Sequence, residues 1–249
     1  MLLKDILRGQ LRKLNRYAYA GAENEFSGGN IERAIEDLDE PLIDGLVRTS
    51  EKIYDALLLG RSYPETVGEG KMLNFNLKYI DWENPQNNVF HVTEEFAVDS
   101  QDRQHKAIPD IVLFINGVPF AVIECKAPQI PVEQAVEQMI RNQQADYIPQ
   151  LFKFAQIILT TNKNTVKYAT TGTQKRFWNV WKEQDTQWLQ ERLTTLVEDR
   201  TPTEQDRSLI ALFSRERVLE LIRYFILFDG NVKKICRYQQ YFAIQEIMK

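Results

Sequence analysis

Only two cysteines, Cys125 and Cys236, and two histidines, His91 and His105, occur in the 249 residues. So few cysteines exclude a disulfide-stapled scaffold and fit a reducing compartment. The four residues also lack the paired spacings of a zinc site. A Ser/His/Asp triad would need one of the two histidines, and no nucleophile elbow accompanies either. No apolar run reaches the roughly 18 residues of a membrane span. The opening MLLKDILRGQLRK alternates apolar and charged positions and has no signal-peptide core. The expectation is a soluble, cytoplasmic protein with no membrane partner. Eleven glycines and nine prolines are too few for collagen-like or low-complexity classes. No G-x-x-x-x-G-K-[ST] loop is present to cradle a nucleotide phosphate.

The length allows one large domain or two small ones, with a core that needs no staples. A net charge of −4 excludes a globally basic nucleic-acid binder, but the charge is unevenly spread. Glu23 to Glu51 holds nine acids and two bases. Pro149 to Lys182 holds no acid, and carries Lys153, Lys163, Lys167, Lys175, Arg176 and Lys182 among Phe152, Phe154, Tyr168, Phe177, Trp178 and Trp181. Such a strip can track a phosphate backbone, or it can be a solvated face over core aromatics.

Helical spacing marks Ile31, Ile35 and Leu38, and again Leu42 to Leu59, which stops at Gly60. Gly60 to Gly70 reads as a loop, Leu73–Ile80 as a short strand and Val89–Val98 as strand-forming. Ile111–Ile115 and Val118–Cys125 flank Asn116-Gly117, a strong hairpin signal. Neither strand alternates polar with apolar residues, so both faces should be covered, as in the centre of an α/β sandwich. A helix from Pro131 towards Tyr147 follows, then strands at Gln156–Thr161 and Val166–Thr170. Trp188–Leu196 and Ser214–Phe228 read as helices, the second stopped by Gly230.

The hairpin brings Asp110, at the start of its first strand, to the same edge as Glu124-Cys125-Lys126 at the end of its second. Two carboxylates so close repel each other unless a cation sits between them. A hard divalent ion such as Mg²⁺ would resolve this with oxygen ligands, and Lys126 could orient a water. The bland alternative is a strand cap at Asp110 and a local Glu124–Lys126 pair. Cys125 points to the opposite face, as a buried thiol.

Pro109-Asp110 with Glu124-Cys125-Lys126 resembles the PD-(D/E)xK nuclease core. The longer string PDIVLFINGVPFAVIECKAP, with EQAVEQMIRNQ and YIPQLFKFAQIILTTN, resembles the N-terminal region of the restriction (R) subunit of type I restriction-modification enzymes. The resemblance implies an α/β fold with a restriction-endonuclease-like core, a central mixed sheet flanked by helices, and additional N- and C-terminal helices. It implies that residues 1–182 form an endonuclease domain, and residues 183–249 a helical linker into a missing helicase/ATPase domain. On that pattern Asp110 and Glu124 hold Mg²⁺ and Lys126 assists the water.

The family's Gln-x-x-x-Tyr motif places Gln138 on the following helix, although Asn142 stands where Tyr is expected. The frame Gln143 to Tyr147 has the right residues further along, so Gln138 and Tyr147 are both candidates. Glu32 is a candidate for an upstream helix Glu. The C-terminal RYQQYFA resembles the segment preceding the first helicase domain, where Gln240 would read the adenine of ATP. The implied partners are double-stranded DNA and the modification (methyltransferase) and specificity subunits. Alternatives are a non-catalytic docking module joining motor to methyltransferase core, and a DNA-repair nuclease of the same fold.

Strand parity adds a geometric expectation. With a strict two-residue turn, Asp110 would face Ile123, and Glu124 and Lys126 would point the other way. One metal can join them only if the turn has an odd register, or if a bulge elsewhere in the hairpin has the same effect.

Overall fold

The computed structural model describes residues 1–101, 103–104 and 106–248, so His105 lies outside the described residues. Helix α1 (Lys4–Leu14) buries Leu7 and Leu11. A small hairpin, β1 (Tyr17–Tyr19) and β2 (Ala22–Asn24), leads to α2 (Gly28–Leu38). There Ile31, Ile35 and Leu38 form the buried face that their spacing predicts, and the Ser27 hydroxyl caps the helix by accepting from the Asn30 N–H.

Helix α3 (Leu46–Leu59) ends at Gly60, whose φ is 76°. A Cβ at this position would lie 2.5 Å from the Leu77 carbonyl oxygen, so only glycine fits. The stretch expected as a loop is instead strand β3 (Arg61–Val67), paired antiparallel with β4 (Lys71–Leu77). Pro64 is tolerated because this is a two-stranded ribbon with an open edge.

The central sheet comprises β5 (Phe90–Glu94), β8 (Ile111–Ile115), β9 (Val118–Cys125), β10 (Ile157–Thr161) and β11 (Val166–Ala169). A short pair, β6 (Val98–Asp99) and β7 (Lys106–Ala107), lies between β5 and β8 in the chain. The strand order is β11-β10-β9-β8-β5. Only β9 and β10 run parallel, which makes the sheet mixed. Parallel neighbours need a crossover, and α4 (Val132–Asn142) with the short α5 (Pro149–Phe152) provides it.

Each face of the sheet has its own apolar core, as the non-alternating strands require. On one face Val112, Phe114 and Val122 pack with Val136 and Met139 of α4. On the other, Ala121, Ile123, Leu159 and Tyr168 pack with the N-terminal helices and with C-terminal residues as far as Tyr241.

After the sheet come α6 (Gln187–Val197), α7 (Glu204–Phe213) and α8 (Arg215–Tyr224). The helix expected to run to Phe228 stops at Tyr224, and the next residues form β12 (Ile226–Asp229), which pairs with β13 (Val232–Ile235). Gly230 and Asn231, both at positive φ, make the hairpin turn rather than a helix stop. Helix α9 (Tyr238–Ile247) follows.

The segment read as a helical linker thus contains a hairpin and packs into the main core. The Tyr168 hydroxyl donates to the Cys236 carbonyl at 2.7 Å, and the Tyr54 hydroxyl to the Ile222 carbonyl at 2.9 Å. Lys233 is fully buried, with Nζ 3.0 Å from Ser50 Oγ, 3.0 Å from the Ala155 carbonyl and 2.7 Å from Gln156 Oε1.

Candidate active site

The hairpin turn has two residues, Asn116 and Gly117, both at positive φ as a type I′ turn requires. By itself this turn would put Asp110 and Glu124 on opposite faces. The register is corrected further along. Phe114 pairs with Pro119 but Leu113 pairs with Ala121, leaving Phe120 as an extra residue on β9. The side chains record the shift: the adjacent Phe120 and Ala121 enter the same core, on the face away from α4. Pro119 has no N–H to give to the ladder, which makes this the natural place for the irregularity. Of the two expectations, the odd turn is not seen and the bulge is.

Beyond the bulge Ile111 pairs with Ile123, and the same register sets Asp110 opposite Glu124. Val112 and Phe114 face α4, as does Val122, so Asp110 and Glu124 share the α4 side. Cys125 packs against the opposite core, and burial, helped by the nearby carboxylates, pushes its thiol up to about 11.

Glu124 is 2% exposed. Its Oε1 accepts from Lys126 Nζ at 2.7 Å, while its Oε2 is buried with no hydrogen-bond partner among the described residues. Lys126 also donates to Gln138 Oε1 at 2.8 Å, so α4 fixes the ammonium from above. Asp110 Oδ2 accepts from the Cys125 N–H at 2.6 Å, which ties the two strand ends together. Burial raises the Glu124 pKa first and the Asp110 charge adds to it, while Lys126 and Gln138 oppose them. The cluster is therefore short of positive charge. Two carboxylates meet there with one ammonium, which pairs with Glu124, and among the described residues a buried oxygen stays unmet.

The remaining candidates lie elsewhere or act differently. Gln143 is buried and turned away, its Oε1 accepting from the Gly172 N–H and its Nε2 donating to the Met139 carbonyl. The frame Gln143 to Tyr147 therefore lies wholly beyond α4, which ends at Asn142. A turn after α4 nonetheless carries Tyr147 back to a cavity that it lines together with Gln138. Glu32 is engaged by Arg8 of α1, in an ion pair that includes a 2.9 Å bond from Nη2 to Oε2. Gln240 is exposed at the first turn of α9, where its Oε1 caps the Arg237 N–H at 2.8 Å.

The basic strip does not form one surface. Phe152, Phe154, Tyr168 and Trp181 are core residues, and Trp178 is buried as well. Lys153 is buried against Asp39 at 2.7 Å, Lys167 meets Glu133 at 2.7 Å and Lys175 meets Glu137 at 2.5 Å. Two of these carboxylates belong to α4 and already neutralise the face that would have tracked phosphate. Changing Lys167 and Lys175 to Gln is accordingly expected to leave the salt dependence of DNA binding unchanged in a fluorescence-anisotropy titration.

The geometry defines a class: an α/β protein with a carboxylate pair, a lysine and a helix glutamine gathered at one edge of a mixed sheet. The chain belongs to the family described as the type I restriction enzyme R protein N terminus, whose model matches residues 1–177. It is similar to the endonuclease subunit of the HindI type I restriction enzyme of Haemophilus influenzae, with 26% identity over 84% of this chain and 21% of that protein. A Methanocaldococcus jannaschii protein assigned by name as the MjaVIIIP endonuclease subunit is 27% identical over 98% of this chain and 22% of its own length. The EcoprrI endonuclease subunit of Escherichia coli is 25% identical over 68% of this chain and 50% of that protein. The chain thus spans about a fifth to a half of the curated relatives it matches.

Proposed function

We propose that this chain is the DNA-cleaving part of a type I restriction enzyme R subunit, with a PD-(D/E)xK core that hydrolyses phosphodiester bonds in the presence of Mg²⁺. The observation that carries the reading is the bulge-set opposition of Asp110 and Glu124 beside Lys126, with Glu124 Oε2 buried and unpartnered among the described residues. A structural ion pair would satisfy that oxygen; a cation ligand set leaves it open. Asp110 and Glu124 would hold the metal, whose hard oxygen preference suits two carboxylates. When bound, Mg²⁺ supplies charge neutralisation at the phosphate and lowers the pKa of a coordinated water.

The chain's own groups do the rest. Lys126, held between Glu124 and Gln138, presents its third N–H to a water or to the charge developing on phosphorus-bound oxygen. Hydrolysis adds the water oxygen to phosphorus and breaks one P–O bond, the departing oxygen taking up a proton. In the complete assembly, cleavage would follow ATP-driven translocation by motor domains, with modification and specificity subunits as partners and double-stranded DNA as substrate. Gln240 would reach adenine only in that context.

Plasmid nicking tests the reading. The chain is expected to nick supercoiled DNA with Mg²⁺ and not with EDTA, and Lys126→Ala is expected to lose at least about a hundredfold in rate. Equal nicking by wild type and Lys126→Ala would refute the assignment.

A further inference from the structure

The cavity beside Gln138 has no part in the chemistry above. It encloses about 210 Å³, bounded by Lys106, Gln138, Arg141, Asn142 and Tyr147 among others. Gln138 belongs to both sites, since its side chain accepts from Lys126, so the cavity opens directly beside the carboxylate cluster. Arg141 lies three residues on, one helical turn along the same side of α4. Its guanidinium carbon stands 5.3 Å from the Tyr147 ring centroid.

Arg141 is exposed and meets no carboxylate in an ion pair among the described residues. Its neighbours differ in this respect: Lys126, Lys167 and Lys175 are each held by a glutamate. Lys106, which also lines the cavity, has among the described residues a single ion pair, with Asp99 at 3.6 Å, in which both side chains are exposed. Such pairs are worth little and yield readily to a stronger anion. The cavity is therefore a small cationic recess next to an anionic cluster. Ligand pockets for whole drug-sized molecules run to roughly 300–1,000 Å³, so this one suits a phosphate and the edge of its sugar.

Building on the nuclease reading, we propose that the recess seats one phosphate of the DNA backbone, clamped by Arg141 and Lys106, and so positions the strand for cutting at Asp110 and Glu124. The planar fork of Arg141 matches phosphate oxygens, and Lys106 adds a point charge. Tyr147 is then a positioning residue that holds the guanidinium against its ring face.

Each phosphate neutralised contributes about 0.9 to the slope of log K against log salt. The test is fluorescence anisotropy of a labelled duplex with the whole chain, in EDTA, between about 50 and 200 mM salt. Arg141→Gln should lower the slope, and Arg141→Gln with Lys106→Gln should lower it by about 0.9, the one phosphate that the recess seats. Arg141→Lys should keep the slope, and an unchanged thermal midpoint will show that the exposed substitutions leave the fold intact.

An unaltered slope in Arg141→Gln, or salt-independent binding by the wild type, would overturn the clamp. So would displacement of the duplex by a mononucleotide at equal phosphate concentration, which would give the recess to a free ligand. The two readings fail separately. A wild-type slope in Arg141→Gln, together with nicking lost in Asp110→Asn, removes the clamp and leaves the nuclease. A lowered slope with nicking retained in Asp110→Asn keeps the phosphate seat and removes the nuclease.

Discussion

Asp110→Asn is expected to lose at least about a hundredfold in Mg²⁺-dependent nicking and, in EDTA, to raise the thermal midpoint by about 2–4 °C. The gain in stability follows from the charge shortage around Glu124. Asp110 pushes the Glu124 pKa up, so removing its charge relieves a repulsion worth about 1 kcal/mol. Asn keeps an oxygen for the Cys125 N–H that Asp110 now accepts at 2.6 Å. The raised pKa fixes the sign of the pH dependence. The folded chain holds a proton on Glu124 that the unfolded chain releases, so this group's contribution falls as pH rises from 4.5 upwards. The stability gap between Asp110→Asn and wild type should therefore open above pH 4.5. Adding Mg²⁺ should stabilise the wild type and not the variant. A lower midpoint with unchanged nicking would return both carboxylates to a structural role.

The largest stability effect should come from Lys233, far from the chemistry. Lys233→Met is expected to cost about 3 kcal/mol, or roughly 6–12 °C, because it strips the donor from the buried Ala155 carbonyl and from Gln156 Oε1. Burial pushes the Lys233 pKa well below 10.5. The amine donates to those two oxygens and to Ser50 Oγ. Because the folded pKa is depressed, the unfolded chain binds a proton that the folded chain lacks between that value and 10.5. Stability from this group therefore rises with pH across that window, by up to about 1.4 kcal/mol per unit. Urea unfolding at pH 7 and pH 9 should show the gap between wild type and Lys233→Met widening. Parallel behaviour at the two pH values would mean that the ammonium persists inside the protein.

Much of the sheet was legible because its strands are short apolar runs bounded by turn residues: Ile111–Ile115 and Val118–Cys125 match their predicted limits. Strand β3 was not, since glycines on either side of it and Pro64 within it look like a loop until a partner strand is known. The strip from Pro149 to Lys182 follows the second of its two readings, a solvated face over core aromatics. Along β11, Val166 and Tyr168 point inwards while Lys167 points out, so ordinary strand alternation produces a basic-aromatic pattern. At the candidate site, Asp110, Glu124 and Lys126 were reached through the hairpin and the resemblance, and Gln138 through the resemblance alone. Tyr147 comes near by a chain reversal that no helical period encodes, and Glu32 was judged by helix position alone, without the Arg8 that engages it. The need for a bulge followed from parity; its place at Phe120 was signalled only by Pro119.

That extra residue makes the candidate site depend on a count. Deleting Phe120 would leave every catalytic candidate in the sequence, yet it would rotate the strand beyond it by half a period. Glu124 and Lys126 would then turn into the apolar layer behind the sheet, and Ile123 and Cys125 would take their places. Changes of two residues at the turn would preserve the phase; changes of one would not. Between Pro-Asp and Glu-x-Lys, therefore, length variation should come in even steps, and an odd step should be tolerated only where a second irregularity restores the alignment. Side-chain identity alone would not reveal which members of such a family can cut.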